Sequence, residues 1–112
     1  MARQPVRMIG PGTAGINTAA GMRYTAPSYV PTTLRSVVRH IHVSNPAGSA
    51  ITVSVGIAGS AAINRVFDGY SIAASAVLDH YCQYPLASGE TVDAWTNAQG
   101  VPVVTISGDE NM

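Results

Sequence analysis

The run Ile51-Thr52-Val53-Ser54-Val55-Gly56-Ile57 alternates large apolar residues with small or polar ones. Side chains of an extended strand point to opposite faces in turn, so this period of two is what a half-buried β-strand needs. The same grammar recurs along the chain. Met22 to Ala26 reads as a short strand, closed by Pro27 and then Pro31. Thr33 to Ser44 is a long β-rich run with Val37, Ile41 and Val43 on one face. Asn45-Pro46-Ala47-Gly48 is a strong turn signal, so Asn45 to Ser49 is expected to join this strand to Ile51–Ile57 as a hairpin.

Beyond Gly59, Ile63 to Phe67 reads as a strand and Asp68-Gly69 as the turn that ends it. Ala76 to Tyr84 follows, with Leu78, His80, Cys82 and Tyr84 on one face and Val77, Asp79, Tyr81 and Gln83 on the other. Pro85 and Ala87-Ser88-Gly89 break it. Thr91 to Trp95 and Val101 to Ser107 complete the set, with Asn97 to Gly100 as a tight connection. No segment offers a capped amphipathic helix, and no internal repeat is evident. Short strands at ~8–12-residue spacing, each bounded by Gly, Pro or Asn, are the signature of a sandwich or barrel. The expected fold is all-β, an antiparallel β-sandwich of jelly-roll-like form over residues 22–112.

Residues 1–21 carry Gly10, Gly12, Gly15 and Gly21 with Pro5 and Pro11 and no acidic residue, and they show neither a helical nor a strand period. They read as an extended N-terminal arm. Arg3, Arg7, Met8, Ile9 and Ile16 are its candidate partner-binding residues. Removing the arm is expected to leave a folded domain.

At 112 residues the chain fits one domain with its own core. Cys82 is the only cysteine and has no partner for an intramolecular disulfide. No apolar run approaches the ~20 residues of a membrane-spanning helix, and the N-terminus lacks the apolar stretch of a secretory signal. Only 11% of residues are charged, against ~25% in a typical soluble domain, and there is no lysine. Two readings compete: a free monomer coated by Ser, Thr and Asn, or a subunit covered by neighbours. Depletion of Lys and Glu also marks interface cores, which favours the second.

All six basic residues (Arg3, Arg7, Arg23, Arg35, Arg39, Arg65) precede all six acids (Asp68, Asp79, Glu90, Asp93, Asp109, Glu110). Strands from the two halves could pair and interleave these charges, or arginines of one subunit could meet acids of the next. Net charge is zero, so no overall field favours nucleic acid.

Gly10-Pro11-Gly12-Thr13-Ala14-Gly15 fits the G-x-G-x-x-G pattern, but the strand before it and the helix opening within it are missing, so nucleotide binding is rejected. His40 and His42 sit on one strand face at a spacing that suits a shared metal. A zinc site needs three or four ligands, and the further candidates are His80 and Cys82. Ordinary strand histidines held by hydrogen bonds are the simpler reading, so no cofactor or metal is expected. Asp79-His80 with a serine lacks both a nucleophile elbow and an oxyanion loop, so no catalytic residue is assigned. Exposed Trp95 and Tyr81 leave a carbohydrate-binding adhesive module open as an alternative.

The segments RHIHVSNPAGSAITVSVGIAG, AINRVFDGYSIAASAVLDHY and PLASGETVDAWTNAQGVPVVTISGDE lie between Arg39 and Glu110. In the order of its elements this stretch resembles small accessory virion proteins of tailed bacteriophages, of the capsid-decoration or neck and tail type. The resemblance implies a β-sandwich subunit on the particle surface and no catalytic residue. Its partners would be other copies of itself and a major virion protein of the capsid, neck or tail, with no nucleic acid or membrane.

Overall fold

The computed structural model of the chain describes residues 3–13, 22–28, 35–59, 62–97 and 103–111. Among them are eight strands: β1 (Arg3–Thr13), β2 (Met22–Thr25), β3 (Ser36–Ser44), β4 (Ile51–Ile57), β5 (Arg65–Ile72), β6 (Val77–Leu86), β7 (Thr91–Thr96) and β8 (Val103–Asn111). A single 3-10 turn, Ala62–Asn64, leads into β5.

Pairing is antiparallel throughout and nested: β1 with β8, β2 with β7, β3 with β6, β4 with β5. The chain is thus one long antiparallel ribbon whose innermost pair is β4–β5. Successive pairs alternate between two four-stranded sheets, ordered β1-β8-β3-β6 and β2-β7-β4-β5. One core draws on both sheets, with Val38, Ile41, Val104 and Ile106 from the first and Val53, Val55, Val92 and Ala94 from the second. This is a sandwich-like all-β fold.

Nesting also explains the charge segregation. Strands from the arginine-bearing half lie against strands from the acidic half, so Arg23 meets Asp93 at 2.5 Å and Arg39 meets Asp109 at 2.7 Å. Arg23 and Asp93 are direct register partners. Interleaving within the chain accounts for these pairs, and neither needs a neighbouring subunit.

Three expectations are corrected. First, the expected arm contains β1, which runs against β8 from Arg3↔Asn111 to Thr13↔Val103. Met8 and Ile9, expected to meet a partner, are buried in this chain's own core. Second, β3 and β4 do not form a hairpin, because the turn at Asn45 carries the chain from one sheet to the other. Third, Asp68-Gly69 does not end β5. Val53 faces Tyr70 and Val55 faces Phe67, so the pair forms a bulge within the strand. Gly69 takes φ 65° there and its N–H donates to Ser54 Oγ.

A further bulge in β3, between Val38 and His40, reverses the inside–outside parity. Val38 therefore joins Ile41 and Val43 in the core, while Val37 is buried outside that cluster.

Among the described residues, hydrogen bonds tie two pairs of crossings between the sheets to each other. Ala26 and Glu90 tie the β2–β3 crossing to the β6–β7 crossing through backbone bonds. Asn45 ties the β3–β4 crossing to the β5–β6 crossing. Its Oδ1 accepts from Ala47 N–H, an Asx turn, while its Nδ2 donates to the carbonyls of Ser49, Ile72 and Ala73. Asn45 is almost fully buried, so Asn45→Ala strands these carbonyls and is expected to cost roughly 3 kcal/mol in urea unfolding. Asn45→Asp should cost at least as much, since its carboxylate would face three carbonyl oxygens. Wild-type stability in both variants would contradict the stapling role.

Candidate functional site

The outward face of the β1-β8-β3-β6 sheet gathers the polar side chains that the core excludes. In β3, His40 and His42 alternate with buried Ile41 and Val43. In β6, Asp79 and Tyr81 alternate with His80 and Cys82 in the same way. The β3–β6 register sets His42 opposite Asp79 and His40 opposite Tyr81. On the other side of β3, β8 sets Thr105 opposite His42 and Ser107 opposite His40.

The side chains converge as the register directs. Asp79 Oδ1 accepts from His40 Nε2 at 2.8 Å and from His42 Nδ1 at 2.7 Å. These hydrogen bonds, that from His42 first, hold the Asp79 carboxyl below its ordinary range. Tyr81 lies flat on His40, with ring centroids 4.4 Å apart and planes 1° from parallel. The three donor atoms of His40, His42 and Asp79 all lie within 4.8 Å of one another, so these residues can hold a metal ion.

The expected further ligands are elsewhere. His80 faces inward, its Nε2 3.2 Å from the Tyr84 hydroxyl and its ring edge-on to Phe67. Cys82 donates to the Val38 carbonyl, and burial pushes its thiol pKa up. The sequence placed Asp79 on the outward face of its strand but did not bring it to the two histidines, because it lacked the β3–β6 register. Asp79 and His80 are neighbours on one strand, so they point to opposite faces and form no relay.

Along the same sheet a shallow depression of about 370 Å³ is lined by Pro5, Val6, Arg7, Arg39, Ser107, Gly108 and Asp109. Arg7, from the expected arm, is exposed there. Arg3 lies in β1 opposite Asn111, and Ile16 lies outside the described residues. The two aromatics considered for glycan binding sit on different sheets. Tyr81 is on β6, whereas Trp95 is on β7 with the Arg65 guanidinium 4.9 Å from its ring centre. They do not form one platform.

The large apolar side chains exposed among the described residues are Ile63, Tyr70, Val77 and Tyr81, at 93%, 48%, 59% and 76%. All belong to β5, β6 or the turn before β5. These strands end their respective sheets and meet through Phe67 and His80, whose ring centres are 5.1 Å apart. No helix among the described residues is long and apolar enough to cross a membrane. Comparison with protein-family models, with curated proteins and with solved structures found no match.

Proposed function

We propose that the chain is a virion structural subunit that acts by association, as a homo-oligomeric capsid decoration protein bound to a major virion protein. The observation that carries this reading is the apolar β5/β6 edge. The end strands of the two sheets, β5 and β6, meet there, and the two strands with the turn before β5 carry exposed Ile63, Tyr70, Val77 and Tyr81. Edge strands of free-standing proteins are commonly guarded by lysine, and this chain has none. Large apolar side chains left exposed along such an edge are available to an interaction surface. A second copy of the chain is the partner such an edge fits, by strand addition and apolar contact.

We infer also that the nested pairs close as a jelly roll. The orders β1-β8-β3-β6 and β2-β7-β4-β5 support it, and jelly rolls serve in viral capsids. Fold alone does not assign function, so the resemblance to phage accessory proteins supplies the virion setting. The same associative chemistry would serve a neck or tail part.

The test is self-association of the purified chain, followed by light scattering across a concentration series. The wild type is expected to form a homo-oligomer. Ile63→Asp/Val77→Asp, which changes only exposed side chains, is expected to weaken association at least tenfold without altering the circular dichroism spectrum. A wild type monomeric at every concentration, or a variant that associates equally well, would remove the edge from the account.

A further inference from the structure

We propose that His40, His42 and Asp79 form a binding site for a zinc-class divalent transition-metal ion on the outer face of the β1-β8-β3-β6 sheet. The inference does not rest on the assembly reading, although Tyr81 belongs to both surfaces.

Geometry carries it. His40 and His42 are two residues apart on one strand, so both imidazoles leave the same face. The β6 register delivers Asp79 directly opposite His42, and its Oδ1 already lies within 2.8 Å of a nitrogen on each ring. Zinc bonds of ~2.0–2.2 Å in tetrahedral array set donor atoms about 3.3 Å apart. A small outward shift of the carboxylate therefore opens the cluster to an ion. The ion replaces the two ring N–H hydrogens now aimed at Asp79. In neutral imidazoles those protons move to the other ring nitrogens, His40 Nδ1 and His42 Nε2, with no net proton release.

The surroundings are built for a fixed site. All three ligands stand on paired strands rather than loops, which sets their spacing before the ion arrives. Tyr81, stacked on His40, holds that ring in its plane, the service that outer groups commonly give to ligating histidines. Two imidazoles and one carboxylate suit zinc, nickel or copper, whereas magnesium and calcium favour oxygen ligands. The sheet's other side is core, so the remaining coordination position points outward, where water completes the shell.

The test is calorimetric titration of Zn²⁺ into the full, chelator-stripped chain. One ion per chain is expected to bind saturably, with Mg²⁺ and Ca²⁺ giving no saturable binding. His42→Ala and Asp79→Asn should each weaken zinc binding at least tenfold, and His40→Ala/His42→Ala should abolish it. His80→Gln, on the inner face, should leave it unchanged. Co²⁺ in place of zinc should give visible absorption that His42→Ala removes while the circular dichroism spectrum stays that of the wild type. No saturable zinc binding, or binding that survives in the double variant, would overturn the proposal.

Discussion

Deletion of residues 1–13 is expected to abolish cooperative folding. The deleted segment is an entire strand of a four-stranded sheet, paired with β8 from one end to the other. Its loss uncovers the edge of β8, and it takes Met8 and Ile9 out of the core. Truncating one buried side chain of this size typically costs about 2–5 kcal/mol. Two such losses, with a ladder of backbone hydrogen bonds, match the ~5–15 kcal/mol that keeps a domain folded. Urea titration by circular dichroism is expected to show no sigmoidal transition in the truncated chain. A transition with the wild-type midpoint and slope would mean that residues 1–13 serve as a detachable arm after all.

Gly108→Ala is expected to be nearly as damaging, although it adds one methyl group. Gly108 lies in β8 between Val38 of β3 and Val6 of β1. A Cβ there would sit 1.9 Å from the Val37 carbonyl oxygen and 3.0 Å from Met8 Cε. Met8 can swing aside, but the Val37 carbonyl is backbone, so β3 and β8 would have to separate. Loss on the order of 4 kcal/mol follows, in the range reserved for core disruption. Gly48→Ala is the matched control, since nothing lies within 4 Å of its added Cβ. Equal stability of the two variants in urea would show that the β3–β8 approach is looser than described.

The sequence made most strands legible, and what it hid was pairing. The alternation in Ile51–Ile57 and the two faces of Val77–Tyr84 are local signals; both segments are strands and β6 keeps its two faces, whereas β4 buries Ser54 and Gly56 as well as its valines. β1 was hidden by Pro5, Pro11 and its glycines. It is an edge strand among the described residues, and proline is tolerated at such edges. The turn at Asn45 was legible as a reversal, but a turn signal does not say which sheet receives the next strand. Asp68-Gly69 has turn chemistry because a bulge demands the same left-handed glycine. The His40–His42 pair was visible at once, whereas its third member needed the pairing of strands nearly forty residues apart. The arginine-then-acid order was plain in the sequence, and only the nested ribbon gives it a structural reason.

On the function proposed above, the chain is a structural component of a particle whose copies associate through the β5/β6 edge. Quantitative mass spectrometry of purified phage particles produced with the chain present tests this proposal most directly. The wild-type chain is expected in a fixed ratio to the major capsid protein, with sharply reduced incorporation of Ile63→Asp/Val77→Asp. Particles that are complete and infectious without the chain bound to them at any stoichiometric level would contradict it.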